Sequence, residues 1–169
     1  MDPLVVTLAL DDEAQALLQG LRSAHFPRER DVVPAHVSLF HALPGEQLAT
    51  VLADLRDAAP APFAVRLAAV RSLGRGAAVV LEAPDLAPLH RDLARRWQPW
   101  LTPQDRQPLR AHVTVQNKVD PAVARATVAQ LQASFAPHPA TAVGVDVWHY
   151  RGGPWEHAAR VPLEAPSPG

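Results

Sequence analysis

The sequence predicts an α+β fold of two related halves, each contributing a small antiparallel sheet with its own helices. Three observations lead there. Residues 35–55 recur without a gap at 111–131, Ala35-His36-Val37-Ser38-Leu39 aligning with Ala111-His112-Val113-Thr114-Val115 at an offset of 112 − 36 = 76. Strand-like and helix-like stretches are interspersed through both halves, which favours two small sheets over one doubly wound sheet. Glycine-rich turns, Gly74-Arg75-Gly76 and Gly152-Gly153-Pro154, each sit between two strand-like runs, as hairpin connections do.

The elements follow in order. Residues 4–10 are an apolar run suited to a buried strand. Asp11 stands where a helix N-cap belongs, and Ala14, Leu17, Leu18 and Leu21 recur at helical spacing until Pro27 ends the helix. A polar connection with Arg28 and Arg30 leads into the first His strand, 35–43. Pro44-Gly45 then turns into a helix with Leu48, Val51, Leu52 and Leu55 on one face. Strands 63–73 and 77–83 flank the first glycine turn. Asp85 is the expected cap of a third helix, tolerating Pro88 in its first turn, with Leu86, Leu89, Leu93 and Trp97 inward. The Pro-punctuated segment 101–110 carries Arg106 and Arg110 into the second His strand, 111–119. Asp120-Pro121 is the expected cap and first residue of a fourth helix, burying Ala124, Val128, Leu131 and Phe135. Strands 140–150 and 155–163 finish a single domain, 1–163, with 164–169 expected to fray.

Composition narrows the function. The 169 residues suit one domain, and a net charge of −1 supplies no global field for gripping long duplex nucleic acid. With no cysteine, disulfides, thiolate metal sites and cysteine nucleophiles are excluded. Six histidines (25, 41, 90, 138, 149 and 157) show no metal-ligand spacing, and Asp11-Asp12-Glu13 reads as a capped helix start. No metal or cofactor is therefore expected. No apolar run approaches the roughly 20 residues that span a bilayer, and Met1-Asp2-Pro3 has no signal-peptide character. A cytoplasmic monomer without membrane contact is the expectation.

The His strands carry the chemistry. Alternation puts His36, Ser38 and Phe40 on one face of the first strand, and His112, Thr114, Gln116 and Lys118 on one face of the second. The opposite rows, Val37/Leu39/His41/Leu43 and Val113/Val115/Val119, are core-like but for His41. A buried row of His, Thr, Gln and Lys would need a partner for every polar group, so a hydrated cleft is the cheaper placement. Two imidazoles facing each other across a bound phosphate would serve as base and acid. Ser38 and Thr114 would hydrogen-bond phosphoryl oxygens, and Lys118, Arg110 or Arg30 would offset charge. Phe40, on the cleft row, is a candidate to stack a base, while Trp148, Tyr150 and Trp155 read as packing residues.

The paired hydrophobic-His-x-Ser/Thr-hydrophobic motifs resemble those of the 2H phosphoesterase superfamily, and within it the bacterial 2'-5' RNA ligase/RNA 2',3'-cyclic phosphodiesterase family. Arg110-Ala111-His112 is similar to that family's frequent Arg-Pro-His lead-in. His41 stands where ligase-like members have an aromatic, and Asn117 where they often have arginine. The resemblance implies a bilobal fold, two pseudo-symmetric lobes of small antiparallel sheets with outer helices around a central groove. It further implies metal-independent hydrolysis of 2',3'-cyclic phosphate RNA ends or small cyclic nucleotide phosphates. The reverse 2'-5' ligation would use the same acid and base, and by analogy His112 activates water while His36 protonates the leaving group. The alternative is a non-catalytic module that binds RNA ends or nucleotides in the same groove.

Overall fold

The computed structural model describes residues 1–165. Seven strands and four α-helices follow the expected order: β1 (Leu4–Leu10), α1 (Asp12–His25), β2 (Val37–Leu43), α2 (Leu48–Ala58), β3 (Phe63–Ser72), β4 (Ala77–Glu82), α3 (Leu86–Arg96), β5 (His112–Gln116), α4 (Pro121–Ser134), β6 (His138–Tyr150) and β7 (Trp155–Pro162). One-turn 3-10 helices add Arg28–Arg30, Gly45–Gln47 and Gln98–Trp100. Of the tail, Glu164 and Ala165 are exposed and residues 166–169 lie outside the described residues.

Every strand pairing is antiparallel, in the order β2-β1-β6-β3-β4-β5, with β7 also on β6. This order is symmetric about its middle. β2-β1-β6 and β3-β4-β5 are the two small sheets expected from the sequence. They are joined edge to edge where β3 meets β6, from Phe63↔Ala142 to Leu67↔His138. The repeat is longer than its sequence signal, since β1-α1-β2-α2 in the first half matches β4-α3-β5-α4 in the second. The strand that follows each half pairs in the other half's sheet: β3 with β4, and β6 with β1. The terminal strands β2 and β5 nevertheless touch each other, so the sheet curls back until its two ends meet. That curl makes the fold bilobal with a central groove.

The helix starts are unequal. Asp11 caps α1, its carboxylate accepting from the Ala14 amide at 3.2 Å and from the Thr141 amide of β6 at 2.7 Å, so one side chain ties helix to sheet. Asp85 and Asp120 occupy the equivalent positions without a side-chain cap bond. Asp85 already has helical angles (φ −78°, ψ −13°), not the extended ones from which a cap side chain reaches back over the first turn. One apolar core runs through both halves, from Leu4 and Leu18 to Leu93 and Val147. No helix among the described residues is long and apolar enough to cross a membrane.

The β3–β4 hairpin is pinned to the end of β5. Gly74 takes the left-handed conformation (φ +84°), and the Leu73 amide donates to the Gly76 carbonyl at 2.9 Å. A side chain on Gly76 would place its Cβ 1.9 Å from the Gln116 carbonyl oxygen, whereas Gly153 has open space. Gly76→Ala should therefore cost about 1–3 kcal/mol in urea unfolding, and Gly153→Ala should stay within about 0.5 kcal/mol. Equal midpoints for the two variants would contradict this close approach.

Candidate active site

Alternation along each His strand breaks at the same place in both halves. In the β1–β2 ladder Thr7 pairs with Ser38 but Val6 pairs with Phe40, so Leu39 is an extra residue. In the β4–β5 ladder Ala78 pairs with Thr114 but Ala77 pairs with Gln116, so Val115 is the extra one. These are β-bulges at positions 76 residues apart (115 − 39), and each turns the residue just past it to the other face; a second register shift before Leu43 returns that side chain to the core.

Upstream of the bulges the expected arrangement is present. His36, Ser38, His112 and Thr114 all line one groove of about 520 Å³, within the size range of small-ligand sites. His36 lies one residue before β2, and both hydroxyl residues are partly buried. The two imidazoles are held in the same way. Nδ1 of His36 donates to the Pro34 carbonyl at 2.8 Å, and Nδ1 of His112 to the Arg110 carbonyl at 2.7 Å. A carbonyl can only accept, so each Nδ1 carries the proton and each Nε2 stays available for proton transfer. Burial pushes the His36 pKa down to about 4, and the positive charges of Arg22, His41 and His112 add to that shift. His36 is therefore neutral near pH 7. Among the described residues no three His, Asp or Glu side chains are grouped to hold a metal ion.

The sequence profile of the 2'-5' RNA ligase superfamily matches residues 10–154. The chain belongs to that superfamily. Its members are phosphoesterase or ligase enzymes, a kind of function that the chain shares. Among solved structures, TT0787 of Thermus thermophilus is similar at 19% identity and a TM-score of 0.68, covering 96% of this chain and 98% of that one. E. coli LigT complexed with 3'-AMP is similar at 16% identity and a TM-score of 0.67, with the same coverages. E. coli LigT complexed with NADP+ has 16% identity and a TM-score of 0.63, again covering 96% and 98%. At these identities the likeness is one of fold. No curated protein sequence matches the chain.

In this member of the 2'-5' RNA ligase superfamily, several expected site residues lie elsewhere. Phe40 is fully buried, stacked on His90 at 4.7 Å and edge-on to Trp97 at 5.0 Å, so it cannot meet a base in the groove. Gln116, its counterpart, is buried and donates to Thr127 of α4 at 2.8 Å. The bulges cause both corrections. Lys118 falls beyond the second bulge in a left-handed turn (φ +61°), exposed and outside the groove lining. Arg30 is exposed on its one-turn helix and does not line the groove, and neither do Arg28 and Arg106. Of the three cations expected to offset phosphate charge, only Arg110 lines the groove.

Other residues take their places. Arg71 of β3 lines the groove from the far sheet, a placement that no local signal announces. Trp155 lines it too, packed 4.6 Å from the His36 ring. His41, turned inward by the first bulge, lines the groove with Asp105. The consecutive apolar pair Leu39-Phe40 is the one trace of that bulge in the sequence; Val115-Gln116 leaves none.

The opposed edges are closed by side chains. Arg22 of α1 is buried, its Nη1 donating to the Thr114 carbonyl at 2.8 Å and its Nε to Asp31 at 2.9 Å. Its guanidinium lies 3.9 Å from the Phe26 ring centroid. His90 of α3 mirrors it, bonding the Leu39 carbonyl at 3.2 Å. Arg22→Met, which strips the partner from the Thr114 carbonyl, should cost about 1–3 kcal/mol in denaturant unfolding. Unchanged stability would show that this clamp is not structural.

Proposed function

We propose that the chain is a metal-independent phosphoesterase that opens 2',3'-cyclic phosphates, on RNA ends or small nucleotides, by two-histidine acid–base catalysis. The observation that carries this reading is the matched pair of histidines, each with Nδ1 tied to the carbonyl two residues before it and each in the same groove. A strained cyclic phosphodiester needs water activated on one side of phosphorus and the leaving ribose oxygen protonated on the other. Ser38 and Thr114 hydrogen-bond the non-bridging oxygens, with Arg71 and Arg110 offsetting the charge that develops on them. The Trp155 face beside His36 takes the base-stacking role expected of Phe40. The E. coli LigT structures with 3'-AMP and NADP+ support a small nucleotide or an RNA end as ligand.

The roles of the two histidines follow from their surroundings. A ring held neutral down to about pH 4 is suited to accept a proton and not to deliver one. His36 is accordingly the base that takes the proton from water, and His112 the acid that protonates the leaving oxygen. This reverses the assignment suggested by resemblance. The base acts deprotonated, so kcat/KM should rise as pH increases through about 4, where His36 loses its proton. Arg22→Met removes a positive charge that opposes His36 protonation, so the limb should move to higher pH. A rising limb at pH 6 or above, unmoved by Arg22→Met, would return the base role to His112.

His36→Ala and His112→Ala should each lower kcat/KM on a nucleoside 2',3'-cyclic phosphate by about 10²-fold or more, with the fold intact by circular dichroism. EDTA should leave turnover unchanged. Wild-type turnover after either substitution, or loss on chelation with recovery on adding zinc or manganese, would reject the mechanism. Tight nucleotide binding without any turnover would leave the binding-module reading in its place.

A further inference from the structure

The groove holds more phosphate-binding chemistry than one phosphate uses. Besides His36 and His112 it is lined by His90, buried against the Leu39 carbonyl, and by His41, whose side chain is 45% exposed. The carboxylate behind it, Asp105, is buried, and its pKa is held below the ordinary value by hydrogen bonds from the His41 ring and from the His41 and Ala42 amides, which outweigh burial acting in the other direction. Those bonds are of ordinary length: 2.9 Å from the His41 amide and from Nδ1, and 3.1 Å from the Ala42 amide. Asp105 is thus consumed in orienting one ring. It is also the only carboxylate among the groove-lining residues, whereas Arg71 and Arg110 line the groove without an acidic partner among the described residues.

Distance separates His41 from the reacting centre. Two register shifts compress the first His strand, Val37 to Leu43 opposing only Leu8 to Leu4, so the chain from His36 to His41 advances roughly 10–12 Å along the sheet. That offset leaves His41 free to meet a second phosphate beside one held between His36 and His112. The Nε2 of His41 has no protein partner among the described residues, while Nδ1 is spoken for by Asp105. An anionic oxygen at Nε2 would leave the ring with an acceptor on each nitrogen, which the doubly protonated imidazole satisfies completely.

We propose that His41, oriented by Asp105, reads a second phosphate of the substrate: the one on the 5' oxygen of the nucleotide that carries the cyclic phosphate. The inference rests on the phosphoesterase reading above and specifies its substrate. In a free nucleotide this group is a 5'-monophosphate, and at an RNA end it is the linkage to the preceding nucleotide. Where the resemblance expects an aromatic at this position, the chain has an imidazole whose Nδ1 is held by a buried carboxylate.

The test compares adenosine 2',3'-cyclic phosphate, its 5'-phosphorylated form and a diadenosine dinucleotide ending in the cyclic phosphate. Wild-type protein should favour at least one of the two-phosphate substrates by about tenfold or more in kcat/KM. In His41→Phe that preference should fall to near unity. His41→Asn, which keeps a donor for Asp105, replaces it if the phenylalanine variant does not fold. Preference for the monophosphate alone assigns the site to free nucleotides, and preference for the dinucleotide alone assigns it to RNA ends. No preference in wild type, or equal losses on all three substrates in the variant, overturns the proposal. Calorimetry with adenosine 3'-monophosphate and adenosine 3',5'-bisphosphate separates the two readings. Tighter binding of the bisphosphate that depends on His41, with no turnover of any cyclic phosphate, would reject the catalytic reading and keep the phosphate site. Equal affinities would reject the site whatever the turnover.

Discussion

Two sheet edges that face each other cannot complete their own hydrogen bonds, and the whole site depends on how this chain completes them. β2 and β5 end the strand order, and each carries a bulge whose extra residue interrupts its one ladder. Carbonyls freed there would be costly if buried without partners. Helices from the opposite half supply the donors: Arg22 to the Thr114 carbonyl and His90 to the Leu39 carbonyl. Both contacts fall at or beside the bulge, on the last residue of one His-x-Ser/Thr motif, Thr114, and on the residue after the other, Leu39. They hold the curled sheet shut at the point where two histidines must share one groove.

The same contacts set the electrostatics. Arg22 closes the structure and also contributes to the low pKa of His36, so one buried cation links assembly of the lobes to the protonation state of a groove residue. Burial pushes His90 toward its neutral form, which suits a ring that donates to a carbonyl from within the core edge. Three groove histidines have Nδ1 committed, His36 and His112 to carbonyls and His41 to a carboxylate, whereas His90 bonds its carbonyl through Nε2. The chemical difference among those three lies in that partner.

Much of this was legible in the sequence because it was local. Helix stripes, the Gly74–Gly76 turn and the repeated His-x-Ser/Thr motif all depend on neighbours within a few residues. The four motif residues were placed together correctly by alternation, which holds up to the hydroxyl of each strand. It fails one residue later, because a bulge is a property of the pairing and not of the strand. Phe40 and Lys118 were misplaced for that reason, and His41 was hidden by it. Arg71, Asp105 and Trp155 come to the groove from β3, the loop before β5 and β7, so their proximity follows from sheet order. Arg30 illustrates the converse, since nearness to a motif along the chain did not bring it to the groove.

The exchange of third strands between the halves also bears on ancestry. With β6 supplied by the second half and β3 by the first, neither half owns a complete three-stranded sheet. Separated, the first half would retain β1 and β2 as a lone strand pair, which is marginal in water. A primordial single-repeat chain built on this plan would therefore have required a twin, the two subunits trading strands in an intertwined dimer. Fusing two such genes turns an association that depends on concentration into one fixed by covalent linkage. It also frees the two copies to diverge, and the His41–Asp105 pair in one copy, where the other has Asn117 at the corresponding repeat position, is what such freedom leaves behind.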